Sequence, residues 1–435
     1  MSKRWPIEYQ AADSAPTVPE PRSAAMAQPP GILLVANWES GVGYAWWLME
    51  NFWAEIARHY VARGHRCFVV FPKISEIPAL LKESQVRFLE HDFADTRPAS
   101  VARLIRLIRQ HRIRYTYLTD KPITDARYAL LRLAGIVRIV VHNHSPGDYS
   151  YPVGIKRLAK TAFHKLPWIN ADHVIGATPF VRERLIQTAC IPPERCSYAK
   201  NGISHIGRDP ALRFYCHAEL NLPQNATIVF SAGRATYYKG IDFIIRCATL
   251  IAEKPAHRNV FFVYCGDGPD LPEFRGLARR LGVENRFVFA GRRGDVDRLV
   301  QSCHIGIQAS FGEVGYSLSI LEYMSAGLAT LVPDRPSTRL ATVNDVTGVL
   351  FAPNDVGSAC RQLERLLSRH DLRARLARNA MNAVSRDYRL SDTNRALISI
   401  LDGQFNTMGE RLKERHEDTV RVIQSARPSH KAFRT

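Results

Sequence analysis

At 435 residues, 46% of them hydrophobic, the chain exceeds a single hydrophobic core and carries apolar side chains enough for two domains. Its 59 lysines and arginines against 41 aspartates and glutamates leave a formal charge of +18, which suits acidic lipid headgroups, nucleotide phosphates or nucleic acid as partners, unless it is a solvated cationic surface. No window approaches the ~20 uninterrupted apolar residues of a membrane-spanning helix, and the amino terminus lacks the charged-then-apolar pattern of a signal peptide, so the expected location is the cytosol.

Residues 1–30 are rich in Pro, Ala, Ser and Gln, as in Ser14-Ala-Pro-Thr-Val-Pro-Glu-Pro-Arg22, and read as a disordered arm. The fold begins at Gly31 with the buried-strand run Ile32 to Ala36, followed by the loop Asn37-Trp-Glu-Ser-Gly-Val-Gly43 and a helical pattern through Trp46, Met49, Phe52 and Ile56. Gly64 punctuates before a strand at Cys67 to Phe71. A helix near 100–110, a strand at Tyr115 to Leu118, a helix near 124–134 and a strand at Val137 to Val141 continue the alternation. After a linker-like stretch from Asn201 to Asn225, a second series places strands at Ala226 to Ser231, Val260 to Tyr264, Phe287 to Phe289, Ile305 to Gln308 and Ala329 to Val332. Strands alternating with helices give an α/β chain of two facing, Rossmann-like doubly wound domains. Such sheets bind ligands beyond the carboxyl ends of their strands, so a nucleotide belongs in the cleft between them. Eight scattered cysteines with no Cys-x-x-Cys pair read as reduced, buried thiols and not as a zinc site or disulfide framework.

The most informative stretch runs from Phe311 to Gly327. Ser317 is placed to cap a helix on which Leu318, Leu321 and Met324 recur, and Gly327 to end it, so Glu322 lies near a buried face. A buried carboxylate is expensive unless hydrogen-bonded, and a pair of sugar hydroxyls is a good partner. The preceding loop would aim free backbone N–H groups at an anion. A nucleotide sugar supplies both hydroxyls and phosphates.

Gly233-Arg234 and Lys239-Gly240 directly follow the first strand of the second domain, where a fixed Arg and Lys can stabilise a departing diphosphate without a metal; alternatively they are a surface pair flanking a turn. Gly266-Asp-Gly268 is a functional loop or a plain strand-to-helix turn, and Arg292 and Arg293 either reach the cleft or face solvent. In the first domain, Gly41 and Gly43 would allow close approach of a helix N-terminus to a phosphate or sugar. His142 and His144 fall at the cleft edge, with a hydrogen-bonding or acid/base role on a bound sugar for one and a structural role for whichever points inward. No third metal ligand is apparent beside them, so no metal site is expected.

The order His142-x-His144, Asn201-Gly202, Gly233-Arg234 with Lys239-Gly240, Gly266-Asp-Gly268 and the Glu322 helix resembles glycosyltransferase family 4, the retaining nucleotide-sugar transferases of GT-B fold, over nearly everything from Gly31 to about Asn406. The resemblance implies that Arg234 and Lys239 hold the donor diphosphate, that Glu322 takes the ribose hydroxyls, and that Gly315, Tyr316 and Ser317 lie near the phosphates and donor sugar. It matches Gly41 and Gly43 to the family's glycine loop and one of the two histidines to its first-domain histidine. It also implies a first domain over 31–205, a donor domain over 206–385, and a helix over 386–410 that crosses back to the first domain ahead of a charged tail, 411–435. One departure stands out. The family signature separates two glutamates by seven residues, which lands the first on Val314, whereas Glu313 lies one place earlier. Either a one-residue bulge returns Glu313 to the donor sugar, or Val314 occupies that place.

The expected activity is transfer of a sugar from a nucleotide-diphosphate donor to a saccharide or lipid-linked acceptor, without a metal or other cofactor and with retention implied by the family. A cell-surface polysaccharide or glycolipid is the expected product. Lys156, Arg157, Lys160, His164, Lys165 and Trp168 suggest docking at the inner face of a membrane, or a solvated helix face. The rivals are an epimerase of the same architecture, a donor-binding protein without catalysis, and a nucleic-acid binder. The last lacks any helix-turn-helix, zinc-finger or clear RNA-binding signature.

Overall fold

Runs of Val, Ile, Leu and Phe too short for a core helix and apolar on both sides become strands covered on both faces. The computed structural model describes residues 29–43, 46–166 and 168–405. In the first domain the strands are β1 (Gly31–Val35), β2 (Cys67–Phe71), β3 (Arg87–Glu90), β4 (Ile113–Thr119), β5 (Arg138–Asn143), β6 (His173–Gly176) and β7 (Cys196–Tyr198). They form one parallel sheet in the order β3-β2-β1-β4-β5-β6-β7. In the second domain β8 (Thr227–Ala232), β9 (Val260–Cys265), β10 (Phe287–Gly291), β11 (Ile305–Ile307), β12 (Ala329–Pro333) and β13 (Gly348–Phe351) form a second parallel sheet, β10-β9-β8-β11-β12-β13. Strand order reverses beside β1 and again beside β8. Ile32 pairs with both Cys67 and Tyr115, and Val229 faces Ile305 and Phe262. The loops leaving these switch points are where such sheets hold ligands.

Four strands were not legible from the apolar pattern. Arg87–Glu90 is an edge strand with no buried residue, His173–Gly176 and Cys196–Tyr198 are too short to show a period, and Gly348–Phe351 follows a turn-rich stretch. The expected linker from Asn201 to Asn225 is more ordered than its composition suggests. It holds two helical turns, Pro210–Leu212 and Tyr215–Glu219, the second anchored by the fully buried Cys216. The helix expected near 124–134 starts at Arg127, because Thr124 bridges to Asn170 instead.

The helix over 390–405 packs Leu397, Leu401 and Phe405 into the core of the first domain beside Tyr60 and Phe52. Asp402 accepts a hydrogen bond from the Tyr60 hydroxyl at 2.9 Å, and the Asn51 amide donates to Asn394 Oδ1 at 2.8 Å. This helix thus returns to the first domain, tying the two together. Apart from Pro29 and Pro30, the arm expected over 1–30 lies outside the described residues, as do the crossing helix beyond Phe405 and the tail 411–435. All eight cysteines are free and buried. No helix among the described residues is long and apolar enough to cross a membrane.

Candidate active site

A cavity of about 680 Å³ opens between the two sheets and takes its walls from both. Many of its residues come from the carboxyl ends of strands: Trp38 and Gly43 after β1, Asp120 after β4, His144 after β5, Gly233 and Arg234 after β8, Gly266 after β9, Arg292 and Arg293 after β10, and Gln308, Ser310, Glu313, Val314, Tyr316 and Ser317 after β11.

Glu313 is the most constrained side chain in it. Its Oε1 accepts hydrogen bonds from Lys239 Nζ at 2.6 Å, Ser310 Oγ at 2.7 Å and Gln308 Nε2 at 2.9 Å. Its Oε2 accepts none among the described residues and remains available to a ligand. The carboxylate is 7% exposed, so a charge this deep is tolerable only because Lys239 pairs with it. Arg234, by contrast, is exposed in the cavity wall and makes no side-chain hydrogen bond or ion pair among the described residues.

Glu313 and Val314 both border the cavity. Val314 also packs against the core of the first domain, where the Thr178 hydroxyl donates to its carbonyl oxygen. Gly315, at φ +112°, lets the chain swing back. A Cβ on it would stand 3.0 Å from Leu340 and 3.2 Å from the Thr178 hydroxyl. Gly147 N–H donates to the Glu313 carbonyl at 2.9 Å, so the first domain grips this loop at two successive residues.

Glu322 lies one turn into the helix Leu318–Ser325, whose N-terminus Ser317 caps by accepting from Ile320 N–H at 3.2 Å. Burial first, then the nearby charge of Asp297, pushes its carboxyl up to about 7. That carboxylate has no hydrogen-bond partner among the described residues, so hydroxyls from a ligand could supply one.

The two histidines separate cleanly. His142 is fully buried, shares a 2.5 Å hydrogen bond between its Nδ1 and the Tyr117 hydroxyl, and stacks on Phe52. Burial, then the neighbouring His144, drives its pKa well below the ordinary value, so it is a neutral structural ring. His144 lines the cavity, with Asp120 accepting its backbone N–H at 2.6 Å and lying 3.6 Å from its Nδ1; neither ring nitrogen is hydrogen-bonded.

Several expected residues do not reach the cavity. Gly41 faces the Glu76 side chain, and Gly268 sits a step behind Gly266 against the Ala235 backbone. Gly315 has both its N–H and carbonyl engaged, by Ser337 and Leu340. Tyr316 borders the cavity, but its hydroxyl donates to the Asn201 carbonyl at 2.6 Å and its ring meets Tyr388, so the side chain belongs to the seam between the domains. Gly43 does belong to the wall: at φ +76°, any Cβ would stand 2.2 Å from Arg292 across the cleft.

Asp120, Asp297, Gln308, Ser310 and the aromatic group Trp38, Trp46 and Trp47 are cavity residues that no spacing identified. Gln308 and Ser310 carry one usable signal, two polar residues emerging from a fully buried strand just before Glu313.

A family model described as Glycosyl transferases group 1 matches residues 216–383, and one described as Glycosyltransferase Family 4 matches residues 49–205. An uncharacterized glycosyltransferase of Methanocaldococcus jannaschii is 22% identical over 259 residues, 57% of this chain and 65% of that protein. A D-inositol 3-phosphate glycosyltransferase of Streptosporangium roseum is 26% identical over 220 residues, 48% of this chain and 50% of the other. The chain therefore spans half to two thirds of the length of these curated relatives. Among solved structures, that of Anabaena HepE in complex with UDP-glucose shares the fold at a TM-score of 0.68 and 20% identity, covering 86% of this chain and 99% of that one.

Proposed function

Because this chain belongs to the group 1, family 4 glycosyltransferases and has the GT-B fold, we propose that it transfers a sugar from a nucleotide-diphosphate donor to a saccharide or lipid-linked acceptor, with retention of anomeric configuration. The observation that carries this is Glu313, anchored through one oxygen by Lys239, Ser310 and Gln308 while the other is left for a ligand. A binding role alone for a neutral sugar would not call for a carboxylate fixed this firmly beside a lysine. HepE, which binds UDP-glucose, has the same fold and favours a nucleoside-diphosphate hexose as donor.

In this reading Glu322 accepts the ribose hydroxyls, and the N-terminus of the helix Leu318–Ser325 faces the phosphates. Arg234 and Lys239 hold the diphosphate as negative charge develops on it. The acceptor oxygen attacks the anomeric carbon on the face that the diphosphate leaves. The carbon–oxygen bond to phosphate breaks as the new glycosidic bond forms, and the acceptor proton passes to the departing phosphate oxygen. Glu313 orients the donor sugar, and His144 lies on the acceptor side within reach of a sugar hydroxyl. Residues gripping the Glu313 loop from the first domain favour a closed cleft that keeps water from the donor.

Two cations beside the diphosphate supply the charge that a divalent ion supplies elsewhere, so we assign metal-independent chemistry. Among the described residues no three His, Cys, Asp or Glu side chains gather as a metal-ligating group. Purified protein screened against nucleotide sugars, with and without acceptor extracts and with and without chelator, tests the reading. Acceptor-dependent sugar transfer unaffected by chelator is expected. Release of an epimerised sugar without acceptor would make it an epimerase, and failure to bind any nucleotide sugar would reject the proposal.

A further inference from the structure

The loop that leaves the cavity at His144 reaches, ten residues later, the helix Gly154–His164, which differs from the other long helices among the described residues: none of its residues is buried. An 11-residue helix in water has little stability of its own, and helices in proteins form because one face is covered. The helix is held at its carboxyl end, by the Asn170 amide donating to the Phe163 and Leu166 carbonyls and by Arg195 donating to the His164 carbonyl, and along its polar face by Lys160 Nζ donating to the Thr188 carbonyl at 3.0 Å. The side chains themselves are sorted into two faces. Ile155, Leu158, Ala159 and Ala162 follow helical spacing on one, and Lys156, Lys160 and His164 on the other.

The apolar face stays bare. Ile155 is 84% exposed and Leu158 72%, and Tyr151, Val153, Leu166 and Trp168 extend the patch at either end. Eight of the 21 large hydrophobic side chains exposed among the described residues fall within 149–168, so the apolar surface is concentrated here and not scattered. From Tyr149 to Ala171 the chain has no acidic residue against the basic Lys156, Arg157, Lys160 and Lys165.

We propose that this helix lies in the surface of an anionic lipid bilayer, with Ile155 and Leu158 inserted and Lys156, Arg157 and Lys165 at the headgroups. Aromatic residues at the two ends, Tyr151 and Trp168, suit the boundary between acyl chains and water. A second copy of this chain is a poor occupant, because a two-fold contact would set like charges against one another. A lipid surface satisfies both the apolar face and the cations. The same strap joins the helix to the reaction centre, since Gly147 within it donates to the Glu313 carbonyl. A membrane-bound acceptor would then meet the cleft at the bilayer surface, which deepens the proposed transfer to a lipid-linked acceptor and rests on that reading only for this last step.

Flotation of the full chain with vesicles of phosphatidylcholine, alone or mixed with phosphatidylglycerol, tests the proposal. The wild-type chain should float with the mixed vesicles and not with the neutral ones. Ile155→Ser/Leu158→Ser keeps the charge and Lys156→Glu/Arg157→Glu keeps the apolar face; each should weaken partition by about tenfold or more. UDP affinity, measured on the same samples, should be unchanged in both and serves as the check on folding. Variants that float as well as wild type, wild type that ignores both vesicles or prefers neither, or a chain held only by an acidic protein would overturn the inference. Vesicle binding without any nucleotide-sugar binding would instead leave it standing and remove the transferase reading.

Discussion

The second domain meets the cleft with charges already fixed in place, while the first meets it with rings and an unbonded imidazole. On one wall three donors converge on a single oxygen of Glu313, and the helix Leu318–Ser325 is capped and aimed. On the other, Trp38 is half exposed, Trp46 and Trp47 stand beside it, and neither nitrogen of His144 has a hydrogen-bond partner. Preorganised charge suits a ligand group whose own charge and geometry are rigid, such as a diphosphate on a ribose. Aromatic surface suits sugar rings, whose C–H faces need contact more than directed bonds. In the proposed reaction, the contrast would assign the electrostatic work to one domain and the fitting of the acceptor to the other.

The contrast breaks most visibly at the two cations. Arg234→Ala and Lys239→Ala should each lower kcat/KM for the donor by about a hundredfold or more, as loss of an electrostatic transition-state contact does. Because Lys239 bonds Glu313 and Arg234 does not, Lys239→Ala combined with Glu313→Gln should cost much less than the product of the single effects. Arg234→Ala with Glu313→Gln should come closer to multiplying. Transfer near the wild-type rate in both single variants would remove the diphosphate assignment.

Glu322→Gln should weaken nucleotide binding by roughly ten- to a hundredfold, since hydrogen bonds to a charged group contribute about 1.5–3 kcal/mol. The same residue sets a pH dependence. Its carboxyl, raised to about 7, is protonated in the free protein below that pH, and a ligand that binds the ionised form must first displace the proton. Nucleotide affinity should therefore fall as pH drops below about 7 and level off above it, whereas the Gln variant should titrate flat. Calorimetry across that range reads both.

Glu313→Gln should reduce transfer by about tenfold or more while free-nucleotide affinity stays within about twofold, because in the proposed complex its open oxygen meets the donor sugar. Val314→Ala should alter donor choice little, its side chain being packed on the first domain. A Val314 variant that changes donor preference, with Glu313→Gln inert, would reverse this assignment.

The histidines give the smallest effect on rate and the clearest split. His144→Ala should slow transfer with an unchanged melting temperature. His142→Ala should lower stability by about 1–3 kcal/mol, since it strands the buried Tyr117 hydroxyl, and should reach activity only through that loss. Equal effects of the two on melting would show that both rings are structural.

Much of this was legible in sequence. Nine of the thirteen strands announced themselves as apolar runs, because a strand covered on both faces has no choice but to be apolar. The same logic failed for Arg87–Glu90, whose edge position leaves its side chains in water. Glu322 and Ser317 were readable because a cap and a helical period are local. Gly41 and Gly268 were misplaced because a glycine reports an unusual backbone and not what lies opposite it: a Glu76 carboxylate in one case and the Ala235 backbone in the other.

What the sequence alone determined was which residue types stand at the ends of which strands, and hence that a cleft between two α/β domains would be lined with glycines, cations and carboxylates. What only the tertiary structure decided was direction: that His144 and not His142 faces the cavity, and that Glu313 is held there by Lys239 while Val314, at the cavity edge, packs on the core of the first domain. Strand alternation could not decide either case, since His142 and His144 are two residues apart and Glu313 and Val314 lie in a loop beyond β11; which side chain points inward depends on what is packed around it. Phe52 and Tyr117 closed over His142, and the first domain's core took Val314. Those contacts join residues far apart in the chain, where no local pattern carries the information.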